Sequence, residues 1–65
     1  MIIHVITNIY RDIETGEYRE RWCAGKTFQE ACNVSIRRAE EDEASRKVIL
    51  VQRTYCNKEV NHEAL

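Results

Sequence analysis

His4, Cys23, Cys32 and Cys56 are the residues of this 65-residue chain whose side chains suit a metal ion. Thiolate and imidazole are zinc ligands, and four of them near one another would make a site. Structural zinc sites, however, are built from closely spaced pairs, and this chain has no C-x₂-C and no H-x₃-H. Cysteines used as small buried hydrophobes are the plainer reading, so no metal and no cofactor is expected. A nucleophilic Cys–His pair would need a third group to orient the imidazole, and none is evident. Glu40-Glu41-Asp42-Glu43 supplies carboxylates in abundance. General acid–base work needs carboxylates with shifted pKa values in a pocket, and a charge run of this kind reads as solvated helix surface. There is no glycine-rich phosphate loop and no Ser/His/Asp arrangement. The chain is therefore expected to be no enzyme, with no catalytic residues.

Two binding chemistries remain. Tyr10, Arg19, Arg21, Arg53 and Tyr55 interleave aromatic rings with guanidinium groups. On an uncovered sheet face such a mixture stacks bases and holds phosphates, as in single-stranded nucleic-acid binders. Ten basic against eleven acidic residues give a net charge of −1, which counts against that reading. The other chemistry is apolar. Val48-Ile49-Leu50-Val51 is apolar at every position, so a strand made from it shows apolar side chains on both faces of a sheet. A short chain has little material to cover both, and a second protein surface is the natural cover.

The elements that position these residues follow from local pattern. Residues 2–11 are rich in β-branched side chains and predict a strand. Residues 12–17 form a turn in which Gly16 supplies the left-handed conformation a hairpin loop needs. Residues 18–24 return as the second strand. A four-residue loop from Ile13 to Gly16 sets Tyr10 opposite Arg19, Ile9 opposite Glu20, Thr7 opposite Trp22 and Val5 opposite Ala24. Val5, Thr7, Ile9, Trp22 and Ala24 then share one face. His4, Ile6, Asn8, Tyr10, Arg19, Arg21 and Cys23 share the other. Thr27-Phe28-Gln29-Glu30 is a capping box that opens a helix over 28–44. Its buried stripe is expected to be Phe28, Ala31, Cys32, Ser35, Ile36 and Ala39. Fraying is expected at Glu40–Glu43, where the helix dipole disfavours negative charge. Residues 47–56 form the third strand, and 57–65 a polar tail able to wind one loose turn from Asn57.

The order is ββαβ, an α+β fold. A right-handed crossover places the third strand beside the first, giving a three-stranded antiparallel sheet of order 2-1-3 with one helix on one face. Taking Val48 and Leu50 inward leaves Ile49, Val51 and Tyr55 outward beside Ile2, Ile6 and Tyr10. The opposite parity leaves Val48 and Leu50 outward. Either choice gives an apolar strip rimmed by Arg19, Arg21 and Arg53. The expected partner-binding residues are thus Ile2, Ile6, Tyr10, Arg19, Arg21, Ile49, Val51, Arg53 and Tyr55.

Size and composition set the rest. One domain is expected at this length, and a domain so small buries only roughly 60% of its unfolded-chain surface. At 43% hydrophobic residues the chain is no disordered segment. No apolar run approaches the ~18 residues that span a bilayer, and the N-terminus lacks the pattern of a signal peptide. Three cysteines at irregular spacing make a poor disulfide framework and suit a reducing compartment. The expected location is the cytoplasm of a bacterial host cell.

The hairpin, the Thr-capped helix with Glu30-Ala31 near its start, Ala24 before it, and a final strand from Val48 to Tyr55 ending in Arg53-x-Tyr55-Cys56 resemble, in outline, small phage-encoded ββαβ proteins that bind and inhibit a host enzyme such as RNA polymerase. The helix is also similar to that of antitoxins with a partial ribonuclease H-like fold. The resemblance implies a phage or prophage product that docks on a host protein and modulates it. It assigns no functional residue. The near-zero net charge and lack of proline differ from strongly acidic DNA-mimic inhibitors. A thin core with one uncovered face also predicts self-association as a two-fold homodimer.

Overall fold

Alternating β-branched side chains make Ile2–Asp12 the first strand, β1, in a computed structural model that describes residues 1–59. Asp12 ends it by turning the chain. Its Oδ1 accepts the Glu14 N–H at 2.8 Å and the Thr15 N–H at 3.0 Å, and Gly16 adopts φ +76°. Those backbone N–H groups, Thr15 first, hold the Asp12 carboxyl below the usual carboxylate range, with Arg19 assisting. The chain returns as β2, Tyr18–Gly25, with Tyr10 opposite Arg19, Thr7 opposite Trp22 and Val5 opposite Ala24. This is the register expected from the loop length.

Helix α1, Phe28–Ser45, starts at Thr27, whose extended backbone lets its Oγ1 accept the Glu30 N–H at 3.1 Å. The Glu30 carboxylate reaches one residue further back than a capping box requires and accepts from the Lys26 N–H at 2.8 Å. Gly25 allows β2 to run close under this first turn. A Cβ there would stand 2.6 Å from the Ala31 nitrogen and 2.7 Å from the Glu30 Cβ. The helix ends with the Arg46 N–H donating to the Asp42 carbonyl at 2.9 Å, and Lys47 takes a left-handed φ of +53° to launch the last strand.

That strand, β3, covers Val48–Glu59 and pairs antiparallel with β1, so the sheet order is β2-β1-β3. The ββαβ α+β fold is as the sequence predicts. β3 is longer than expected: Asn57, Lys58 and Glu59 continue the ladder opposite His4, Ile3 and Ile2, so Asn57 caps no turn. The turn expected beyond it falls on residues 60–65, outside the described residues. Among the described residues no helix is long and apolar enough to cross a membrane.

Helix α1 lies on the face of the sheet that carries Ile6, Asn8, Tyr10 and Cys23. Its buried stripe is Ala31, Ser35, Ala39 and Asp42. Phe28 and Ile36, expected in that stripe, are half exposed, and Cys32 is half-buried beside it. Small residues at 31, 35 and 39 bring the helix axis close over Asn8 and Tyr10. Phe28 and Ile36 then stand on its flank. Val48 and Leu50 face the helix and pack with Tyr10 and Ala39. The ladder then slips by one residue: Tyr10 pairs with Leu50 but Ile9 pairs with Gln52, leaving Val51 as the extra residue of a β-bulge.

Candidate functional site

The helix-covered face is held by polar contacts. Asn8, fully buried, donates from Nδ2 to the Ser35 carbonyl at 2.9 Å and to the Tyr10 hydroxyl at 3.1 Å. Its Oδ1 accepts the Ser35 hydroxyl at 2.5 Å, and the Arg53 Nε donates to the Ser35 Oγ at 2.8 Å. One turn from the helix end, Asp42 accepts Arg21 Nη1 at 2.6 Å, with its side chain only 5% exposed. Arg46 Nε stands 3.8 Å away. Burial raises the pKa of the Tyr10 hydroxyl and of the Cys23 thiol, so both stay protonated at neutral pH. A protonated, enclosed thiol is a poor nucleophile and a poor metal ligand. Among the described residues no three His, Cys, Asp or Glu side chains gather as metal ligands.

These contacts correct the expected binding surface. Tyr10, at 3% exposure, and Ile6, at 5%, lie under the helix and present nothing to a partner. The physical reason is complementarity. Ser35 and Asp42 put polar groups on the buried helix stripe, and only the face bearing Asn8 and Arg21 can answer them. Arg21 and Arg19 line a cleft of about 330 Å³ with Tyr10, Asp42 and Arg46. There Arg21 is tied to Asp42, and Arg19 stands 3.6 Å from Asp12. The bulge at Val51 moves Arg53 and Tyr55 to the helix side, opposite Asn8 and Ile6. A regular strand with Val48 and Leu50 inward would have placed them outward. Tyr55 remains half exposed, its hydroxyl 2.7 Å from His4 Nδ1 and its ring edge-on to Phe28 at 5.0 Å. The face expected to stack bases is thus not the face left open. Ile2, Ile49 and Val51 are exposed as expected.

The open face is the other one. Val5, Thr7 and Ile9 on β1, Glu20 and Trp22 on β2, and Thr54, Cys56 and Lys58 on β3 line a shallow depression of about 250 Å³. Trp22 is 65% exposed. The Lys58 ammonium reaches across the sheet to lie 5.3 Å from the centre of its ring. Val5, Ile9 and Trp22 were legible as one face, but were assigned to the core because they are its more apolar side. The signal that corrects this is on the helix. Asp42 falls three residues after Ala39, on the Ala31–Ser35–Ala39 stripe, and a charge there demands a facing cation.

The geometry is that of a binding surface: flat, apolar at its centre and charged at its rim by Glu20 and Lys58. Comparison with family models, with curated protein sequences and with solved structures finds no match.

Proposed function

We propose, from geometry alone, that this chain is a non-catalytic protein-binding module that docks a partner protein on the open face of its sheet. The observation that carries the reading is Trp22. A large aromatic side chain stands two-thirds exposed at the centre of an apolar sheet face, in a domain with no element left among its described residues to cover it. Buried aromatics with a charged rim are the usual anchors of protein interfaces. The molecule is also under-packed. Its radius of gyration is 13.4 Å, where a compact chain of this length has about 11 Å. It exposes 4846 Å², where a monomer of its mass exposes about 4,300 Å². In this reading the target is a host protein and the chain a phage or prophage product that modulates it, as the outline resemblance implies.

The test is capture from bacterial lysate on immobilised chain, wild type beside Trp22→Lys. The expected result is one protein retained in stoichiometric amount by the wild type and lost by the variant, with both folded by circular dichroism. Recovery of nucleic acid without protein, released steeply by salt, overturns the reading in favour of a nucleic-acid binder. Equal retention by the variant overturns the open face as the site.

A further inference from the structure

β3 is an edge strand of twelve residues, paired on one side only and exposed from Val51 to Glu59. The direction of its backbone groups can be worked out. The Asp12 N–H donates to the Glu17 carbonyl on the β2 side, and the Ile13 N–H donates to the Lys47 carbonyl on the β3 side. β1 runs without irregularity against β2, and bonding direction alternates along an antiparallel ladder. Odd-numbered residues of β1 therefore bond toward β3. Thr7 and Thr54 form a hydrogen-bonded pair, and the amides of Arg53, Tyr55 and Asn57 point outward to nothing in the sheet.

We infer that β3 pairs with β3 of a second copy of this chain, antiparallel about a two-fold axis through Thr54, to make a six-stranded sheet. An isologous strand pair must place some residue opposite itself. Centring on Arg53 would oppose two guanidinium groups, which is destabilising. Centring on Thr54 opposes two threonines in a non-hydrogen-bonded pair, a favourable cross-strand match. It sets Arg53 beside Tyr55 of the second copy, where the outward N–H and C=O of each meet. It also sets Lys58 opposite Leu50 and uses the edge from Ile49 to Glu59, whereas centring further along leaves half the strand unpaired. The strand carries no proline, and its bulge lies away from the central pairs. This pairing leaves the open face uncovered and doubles its width, so it stands independently of the docking reading.

The test is disulfide trapping. Across a non-hydrogen-bonded antiparallel pair, Cα atoms lie about 4.5 Å apart, within reach of a disulfide. Two stacked sheet faces lie about 10 Å apart, beyond it. Cys23→Ala, Cys32→Ser and Cys56→Ser give a cysteine-free background. Into it Thr54→Cys is introduced, with Thr7→Cys as control. The expected result is a species of about twice 7.7 kDa by sedimentation at tens of micromolar for the wild type. Oxidation should link Thr54→Cys at least tenfold faster than Thr7→Cys. A 7.7 kDa species at that concentration overturns the proposal. So does a dimer in which Thr54→Cys links no faster than the control. Rapid linkage of the wild type through Cys56 overturns the register.

Discussion

Asn8 shows how one residue can organise a small core. A buried amide has two donors and an acceptor to satisfy. Here the Ser35 carbonyl, the Tyr10 hydroxyl and the Ser35 hydroxyl satisfy them. The Arg53 guanidinium joins through Ser35. Truncating Asn8 strands these groups away from water, so Asn8→Ala should lower stability by about 2–3 kcal/mol in urea unfolding. Because the groups form one network, Asn8→Ala and Ser35→Ala should be non-additive by more than about 0.5 kcal/mol. An additive pair would mean that the contacts do not act together. The alternation that puts Asn8, Tyr10 and Cys23 on one face was legible in the sequence. That this face is the buried one was not. Hydropathy ranks Asn8 and Arg21 as solvent residues, and only a partner on another element reverses the ranking.

At the scale of elements, the hairpin register, the Thr27 cap and the strand order follow from local chemistry, and all are as expected. The end of the helix does not fray at Glu40–Glu43. The element continues to Ser45, because Asp42 is anchored by Arg21 and the Arg46 N–H closes the last turn. The bulge at Val51 was hidden, because no glycine or proline marks it in a run of four apolar residues. It decides which side of the sheet Tyr55 occupies. Deleting Val51 restores a regular ladder and turns Tyr55 away from His4. Proton NMR should therefore lose the Tyr55–His4 and Tyr55–Phe28 ring contacts in the deletion and keep them in Val51→Ala. Contacts kept in the deletion would show that something other than the bulge sets the parity of β3.

For the whole molecule, the helix covers one face and nothing described covers the other. The sequence announced this imbalance through its short length and its four-residue apolar run. It did not announce which face would be left, since that depends on matching a charge on α1 to a charge on β2. With the helix placed, Val5, Ile9 and Trp22 become the surface through which the chain is proposed to act. Its edge strand is free for a second copy without competing for that surface.

Trp22 is the only tryptophan of the chain, so its fluorescence reports on the proposed docking face alone. The direct measurement is acrylamide quenching of Trp22 in the free chain and in the purified complex with the captured partner, the partner's own tryptophans silenced by 5-fluorotryptophan substitution. The free chain should quench as an exposed indole does at every concentration, including those at which it is dimeric. The complex should show several-fold weaker quenching and a blue-shifted emission. A complex of verified composition in which Trp22 quenches as in the free chain would contradict the account.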